Sequence, residues 1–180
     1  MTPESPPDVL AILRSAARQP MLPPAEWRGP TLDRRRVQML LPHRDPFLLI
    51  DGVVHVDHTA ATIVCVYDLH RSASIFEGHF PGRPIWPGVL QVEAIGQAGL
   101  CLMRHSSEAS ASDPAPGFSF THILGAEFVR PVTPTDQLEI VARVLADGLF
   151  NIVVGQCLQR GVVCSAAAVR GLNKEDRNES

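Results

Sequence analysis

The sequence predicts an α+β protein in which an antiparallel sheet wraps around one long central helix. The segment from about Val89 to His105 is long enough for a helix of several turns and is apolar nearly all round. Five or six segments rich in β-branched residues precede and follow it. Because such a helix needs cover on every face, we expect the sheet to curl around it and a second subunit to close the remainder.

Two short helices are expected before the first strand. Residues 8–18 have apolar positions at helical spacing, with Asp8 as the N-cap, inside a proline-rich extension that spans residues 1–30. We favour packing of this helix on the body of the protein or on a neighbouring subunit over a role in docking a partner. A second helix is expected in residues 31–40 and ends before Pro42.

The remaining segments are predicted strands, with one loop of small residues at 106–117. Turns containing Gly148 and Gly161 separate the last three strands, which indicates an antiparallel meander. We therefore divide the chain into the extension 1–30, a single domain at 31–172 and a polar tail at 173–180. The predicted strands lie at 47–57, 60–69, 118–128, 137–146, 150–159 and 162–171.

Composition excludes several classes of protein. The chain has 180 residues, of which 45% are hydrophobic and 19% charged, as in a single globular domain with its own core. A net charge of −3 is the wrong sign for a nucleic-acid-binding protein. The four cysteines form no Cys-x-x-Cys pair, and neither a secretory signal nor a membrane-spanning run is evident. We expect a cytoplasmic protein that binds neither nucleic acid nor membrane.

The stretch EGHFPGRPIWPGVLQVEAIGQ, residues 77–97, has features of a functional site. Its prolines restrict the backbone of a loop that contains His79, and its glycines allow tight turns. The loop leads directly into the long helix. The first amides of that helix, near Gly88, are unpaired donors with partial positive charge, suited to a carbonyl oxygen or an oxyanion.

An acid and a base are available in this stretch. Glu93 and Gln97 are four positions apart and share one face of the helix. Apolar neighbours disfavour the carboxylate anion, so Glu93 is suited to donate a proton near neutral pH, and His79 is suited to accept one. The alternative is that Glu93 only hydrogen-bonds Gln97 or a loop amide while His79 only shapes the loop. The residues by themselves leave both interpretations open.

Three stretches resemble signatures of the (3R)-hydroxyacyl-[acyl carrier protein] dehydratases of type II fatty acid synthesis, a hotdog-fold family. They are GHFPGRPIWPGVLQVEAIGQA at 78–98, LPHRDPFLLID at 41–51 and EFVRPVTPTDQLEI at 127–140. The resemblance covers about residues 31–172. It implies the hotdog fold, an acyl carrier protein that bears the substrate, and no metal or redox cofactor.

Carried over to matching positions, the resemblance makes His79 the catalytic base and Glu93 the catalytic acid. It implies that the two come from opposite subunits of a homodimer, and that dimers often assemble as trimers of dimers. Gly88 becomes the amide donor to the thioester carbonyl, and Gln97 orients the acid. A related dehydratase and isomerase branch carries aspartate at position 93, so the glutamate favours the plain dehydratase. The expected substrate-binding residues are Phe80, Trp86, Pro87, Gly88 and Gln97.

The expected reaction is the dehydration of a 3-hydroxyacyl thioester to the trans-2-enoyl thioester, in fatty acid or specialised, polyketide-like acyl biosynthesis. One alternative is a hotdog thioesterase, which would use a carboxylate and water. Another is a non-catalytic subunit that only binds acyl carrier protein. Both alternatives leave the presence of His79 and Glu93 at the dehydratase spacing unexplained.

Some residues depart from the family's pattern or have other interpretations. Trp86 replaces a usual methionine and is expected to shorten or reshape the acyl tunnel, which favours a pathway-specific substrate. We expect His43 to be structural, since the reaction already has an acid and a base. His55 and His58 are expected in a solvated turn rather than in a metal site. The arginines at 34–36 are expected on a solvated helix face, with attraction of the acidic carrier protein as the alternative. The other departures are Asp45, Arg83 and Thr135.

Overall fold

The computed structural model describes residues 8–28, 32–106, 118–135, 137–147 and 150–173. Four α-helices and six strands lie in these ranges, with short 3-10 turns at Pro24–Glu26 and Leu69–Ser72. The helices are α1 (Val9–Ala16), α2 (Arg34–Leu40), α3 (Ala73–Gly78) and α4 (Gly88–Ser106). The strands are β1 (Gly52–Asp57), β2 (Thr62–Asp68), β3 (Phe118–Phe128), β4 (Gln137–Asp147), β5 (Phe150–Gln159) and β6 (Val162–Asn173).

All six strands form one antiparallel sheet in the order β1-β2-β4-β5-β6-β3. The predicted meander of β4, β5 and β6 is therefore confirmed. Strands β1 and β3 form the two edges of the sheet. Helix α4 contacts all strands from β2 to β6, so the sheet curves around it as the sequence predicts. This arrangement is the hotdog fold that the sequence motifs imply.

Helix α4 extends one residue beyond its predicted range at each end and lies close to β5. A Cβ atom at Gly155 in β5 would lie 2.5 Å from the Val141 carbonyl oxygen and 2.7 Å from the Ile95 side chain. On the helix, a Cβ atom at Gly99 would lie 2.4 Å from Val153. Glycine on both surfaces thus permits a helix-to-sheet approach that side chains would prevent.

The first predicted strand is wrong in its first half. Strand β1 begins at Gly52, and residues 47–51 belong to no strand, although Leu48, Leu49 and Ile50 are almost fully buried. The Leu49 N–H donates to the side chain of Gln97 at 2.9 Å instead of to a neighbouring strand. The apolar run reflects burial against α4, and a buried run of this length does not distinguish a strand from an irregular core segment.

Helix α3 and the preceding 3-10 turn are not predicted by the sequence pattern. They occupy residues 69–78, between the second strand and the proline-rich loop. The Asp68 carboxylate accepts the His70 N–H at 3.0 Å and begins the turn. Phe76 is the buried residue of α3, which spans only six residues and so shows no helical repeat in the sequence.

The N-terminal helix packs on the body of the protein, which confirms the favoured interpretation. The Asp8 side chain accepts the Ala11 N–H at 3.0 Å, as expected of an N-cap. Gln156 of β5 is fully buried, and its side-chain amide donates to the carbonyls of Ala16 (2.6 Å) and Gln19 (3.2 Å). Since successive strand residues face opposite sides, Gln156 and α1 lie on the outer face of the sheet, opposite α4.

The histidines of the first hairpin differ in their surroundings. His55 was expected in a solvated turn, and this is wrong: it lies in β1, is 8% exposed, and its Nδ1 accepts the Arg28 N–H at 2.6 Å. The N-terminal segment before α2 covers it. His58 is exposed and its Nδ1 lies 3.0 Å from the Ser106 hydroxyl. Within the described ranges, no group of three or more His, Cys, Asp or Glu side chains is placed to share a metal ion.

Several expectations fall on residues outside the described ranges. They concern the loop at 107–117, the turn at Gly148 and the tail from 174 onward. In the described part of the chain, none of the helices has the length and apolar character needed to cross a membrane.

The contact between α4 and β5 makes a testable prediction. Gly155→Ala should lower the free energy of unfolding by about 1–3 kcal/mol, because the added methyl group meets the Ile95 side chain of α4 and a backbone oxygen of β4 that cannot move freely. Gly78→Ala is the matched control, since nothing lies within 4 Å of the place that its Cβ atom would take, and should change stability by less than about 0.5 kcal/mol. Urea denaturation at equal protein concentrations measures both. Equal stability of the two variants would contradict the close approach.

Candidate active site

The loop that contains His79 is closed by its own backbone hydrogen bonds. The His79 N–H donates to the Ile75 carbonyl at 2.9 Å, which ends α3, and the His79 carbonyl accepts the Ile85 N–H at 2.9 Å. Gly82 adopts a φ of +76°, a conformation that favours glycine and permits the turn. The Trp86 N–H then donates to the Val132 carbonyl at 2.8 Å, which fastens the end of the loop to the body.

The hydrogen bond of the His79 ring determines its tautomer. His79 Nδ1 lies 2.9 Å from the Ile85 carbonyl oxygen, which can only accept a hydrogen bond. In the neutral imidazole the proton is therefore on Nδ1, and Nε2 presents a lone pair. The Phe80 ring stacks on the imidazole with 4.1 Å between centroids. His79 thus has the geometry of a general base with a fixed reactive nitrogen.

His79 and the first turn of α4 line one cavity of about 480 Å³, here called the histidine cavity. Gly88 lies in its wall, and the amides of Gly88 and Val89 precede the first hydrogen bonds of the helix, which Leu90 and Gln91 donate to the Pro87 carbonyl. A Cβ atom at Gly88 would lie 2.7 Å from the ring of Phe128, so glycine lets this aromatic ring of β3 approach the helix start. The positive end of the helix dipole faces the same region.

Trp86 forms part of the wall of the histidine cavity and is held by the core. It is 1% exposed, and its indole N–H donates to the Ser72 hydroxyl at 3.0 Å. The same hydroxyl lies 2.9 Å from the Tyr67 hydroxyl, and the ring centroids of Tyr67 and Trp86 are 5.6 Å apart. The bulky indole is therefore fixed by both packing and hydrogen bonding.

Glu93 is held by the buried amide of Gln97. Gln97 Nε2 donates to Glu93 Oε1 and to the Phe47 carbonyl, each at 2.8 Å. Its Oε1 accepts the Leu49 N–H at 2.9 Å. The Glu93 side chain is 19% exposed. It lines a second cavity, of about 150 Å³, here called the glutamate cavity. The cavity is lined by His43, Glu93, Gly96, Gln97, Leu100 and Phe120.

His43 faces Glu93, which the sequence did not indicate. His43 Nε2 lies 3.5 Å from Glu93 Oε1. Burial lowers the pKa of His43 below its usual value, the negative charge of Glu93 partly opposes this shift, and the positive charge of Arg44 adds to it. The imidazole is therefore neutral at neutral pH. Fifty positions (93 − 43) separate the two residues, so no local spacing in the sequence could reveal their contact.

His79 and Glu93 of one chain line separate cavities. The histidine and glutamate cavities have no lining residue in common. Three large apolar side chains are well exposed: Val89 is 74% exposed, Ile123 65% and Phe128 54%. Ile123 and Phe128 belong to β3, an edge strand. A single chain therefore presents two separate cavities and several exposed apolar side chains.

The structure places four of the five expected substrate-binding residues in three cavities, and the fifth, Pro87, at the start of α4. Trp86 and Gly88 line the histidine cavity with His79, whereas Gln97 lines the glutamate cavity with Glu93. Phe80 is 52% exposed and lines a third, outer groove with prolines of the loop. Pro87 contributes its carbonyl, which accepts the N–H groups of Leu90 and Gln91 in the first turn of α4.

The chain is similar in sequence to known proteins. Residues 41–158 match the FabA-like domain. The chain is 38% identical over 144 residues to a 3-hydroxyacyl-[acyl-carrier-protein] dehydratase FabZ of Campylobacter concisus (strain 13826), covering 78% of this chain and 97% of the relative. It is 42% identical over 115 residues to the protein of that name from Nitratidesulfovibrio vulgaris (strain DP4). This match covers 63% of this chain and 72% of the relative.

Solved structures resemble the chain in fold. The dehydratase heterocomplex ApeI:P from Xenorhabdus doucetiae matches with a TM-score of 0.59 and 21% identity, over 78% of this chain and 91% of that one. A mutant thioesterase from Pseudomonas aeruginosa matches with a TM-score of 0.55 and 15% identity, over 81% of this chain and 96% of that one. Fold similarity at this identity is shared by proteins of different activity. Sequence identity and the matched domain show that the chain belongs to the FabA-like family, as its motifs implied.

Proposed function

We propose that the protein dehydrates a 3-hydroxyacyl thioester carried on acyl carrier protein to the trans-2-enoyl thioester. The observation that carries the proposal is the fixed tautomer of His79 beside the start of α4, together with a second half-site that holds a carboxyl group. The relatives from Campylobacter and Nitratidesulfovibrio, whose names state this activity, support it. No step in this reaction calls for a metal or a redox cofactor.

The first half of the reaction is removal of a proton from C2 of the thioester. His79 Nε2 takes this proton, and the hydrogen bond from Nδ1 to the Ile85 carbonyl keeps the ring in place as it becomes positively charged. Negative charge then develops on the thioester oxygen. The Gly88 N–H and the helix dipole stabilise that charge, because they point towards it without reorganisation.

The second half is departure of the C3 hydroxyl group. Glu93, in its protonated form, donates its proton to this hydroxyl, the C3–O bond breaks, and water leaves as the C2–C3 double bond forms. Glu93 ends as the carboxylate and His79 as the imidazolium. Transfer of the proton from His79 back to Glu93 restores both groups. Gln97 holds Glu93 Oε1 throughout, through its hydrogen bond of 2.8 Å.

We propose further that the complete site forms between two subunits of a homodimer, with His79 of one facing Glu93 of the other. The separation of the two cavities within one chain supports this arrangement. So does the exposed apolar surface on β3, since an edge strand with Ile123 and Phe128 exposed is suited to pairing with a second copy. A trimer of such dimers is the larger assembly that the family resemblance favours.

The compartment that we propose is the cytoplasm. Reducing conditions preserve free thiols, and the chain has four, all buried. Burial raises the pKa of the Cys65 and Cys164 thiols, so these groups stay protonated and unreactive.

The activity is tested with carrier-bound 3-hydroxyacyl substrates of several chain lengths, followed by mass spectrometry. The wild type should remove one water, and His79→Ala and Glu93→Gln should each lower the rate about 10²- to 10⁴-fold because each removes one proton-transfer group. His58→Ala, at an exposed histidine outside all three cavities, is the control and should retain activity. Release of the free acid would instead indicate a thioesterase. Carrier binding without any turnover would indicate a non-catalytic subunit.

The shared site is tested by mixing subunits of the two inactive variants. Co-expressed His79→Ala and Glu93→Gln chains should recover about a quarter of wild-type activity, because half of randomly formed dimers are mixed and each has one intact site of two. Native mass spectrometry counts the mixed dimers and distinguishes a dimer from a trimer of dimers. A preparation that contains mixed dimers and remains inactive would contradict a site built from two subunits.

A further inference from the structure

The contact between His43 and Glu93 has no role in the reaction described above. His43 Nε2 is 3.5 Å from Glu93 Oε1, the same oxygen that accepts a hydrogen bond from Gln97. This separation is slightly longer than an ordinary hydrogen bond. Catalytic hydrogen bonds are often long in the free enzyme and shorten when substrate binds. Both side chains line the glutamate cavity, so the contact lies at the proposed site.

The segment that contains His43, residues 41–51, is held firmly against α4. Gln97 binds it twice, at the Phe47 carbonyl and at the Leu49 N–H. The guanidinium group of Arg34 bridges the carboxylates of Asp45 and Asp51. Asp45, which departs from the family's usual aromatic residue, is therefore paired in this chain.

Four further contacts complete the support of this segment. Asp51 also accepts the Asp68 N–H at 2.7 Å and pairs with Arg71 at 3.0 Å. Arg44 donates to the carbonyls of Leu41 (2.8 Å) and His43 (2.7 Å) and so fixes the backbone on both sides of Pro42. The imidazole of His43 is thus placed against Glu93 by a network of ion pairs and hydrogen bonds.

The surroundings of the His43 ring select one tautomer. Among the described residues, Nδ1 of His43 is buried and has no hydrogen-bond partner. A proton on Nδ1 would bury an unsatisfied N–H and turn the Nε2 lone pair towards an oxygen that already accepts a hydrogen bond. A proton on Nε2 avoids both costs and gives Glu93 Oε1 a second donor.

We propose that His43 is a positioning residue that directs its Nε2–H to Glu93 Oε1 and, with Gln97, leaves the acidic proton on Oε2. An oxygen that accepts two N–H groups is a poor site for a proton, so the proton occupies the other oxygen. Glu93 then offers its proton from one defined atom. This inference rests on the proposed dehydratase function, in which Glu93 is the acid.

Three substitutions separate positioning from simple packing. His43→Gln places an amide N–H the same number of bonds from the backbone as Nε2, whereas His43→Asn places it at the distance of Nδ1 and His43→Leu removes it. We expect His43→Asn and His43→Leu to lower kcat about 10- to 100-fold with KM changed less than about threefold. His43→Gln should stay within about threefold of wild type. Thermal unfolding confirms that all three variants fold.

An NMR measurement tests the contact without relying on activity. ¹⁵N–¹H correlation of the histidine rings, with His43 assigned by its loss in His43→Gln, should show the Nε2–H tautomer at neutral pH. Its nitrogen shifts should change in Glu93→Ala. An Nδ1–H tautomer, unchanged shifts in Glu93→Ala, or equal kcat values for His43→Asn and His43→Gln would overturn the inference. If the wild type is inactive, the proposed function fails, and the NMR result alone decides the contact.

Discussion

The amide side chain of Gln97 joins the parts of the molecule on which the position of Glu93 depends. It is 1% exposed, and its three hydrogen bonds connect α4 to the irregular segment 47–49 and to Glu93. A buried polar group costs free energy unless its donors and acceptors are paired, and here the amide oxygen also pairs the buried Leu49 N–H. The position of Glu93 is therefore a consequence of how the core satisfies its hydrogen bonds. Loss of this amide would loosen the fold and the site together.

The position of His79 depends on a different constraint, the rigidity of a short loop. Its prolines limit the backbone, its glycines permit the turn, and hydrogen bonds at both ends of the loop fix its direction. Ile85 closes the loop with its N–H, and its carbonyl selects the tautomer of His79. Ile85 therefore has two roles: its N–H closes the loop, and its carbonyl leaves Nε2 of His79 as the nitrogen with a lone pair.

The sequence predicted what depends on local pattern. The bounds of α4 agree within one residue at each end, the meander of β4 to β6 is correct, and Asp8 caps α1 as expected. Contacts between distant segments were not predictable in this way. The apolar run at 48–50 resembles a strand because burial, not sheet pairing, determines its composition. The pairing of His43 with Glu93 depends on the fold bringing two motifs together, and neither motif by itself contains that information.

The burial of α1 on the outer face of the sheet has an evolutionary consequence. Leu13 approaches Gly125 so closely that a Cβ atom there would lie 2.8 Å away. Other apolar residues of the helix cover outward side chains of β5 and β6, namely Ile152, Val154 and Ala168. In a relative without the extension, these outward positions would face solvent, and we expect polar residues there. Here the helix covers them, so substitutions in the helix and at these strand positions should be correlated. The extension and the outer face of the sheet are thus expected to vary together, separately from the face of the sheet that packs on α4.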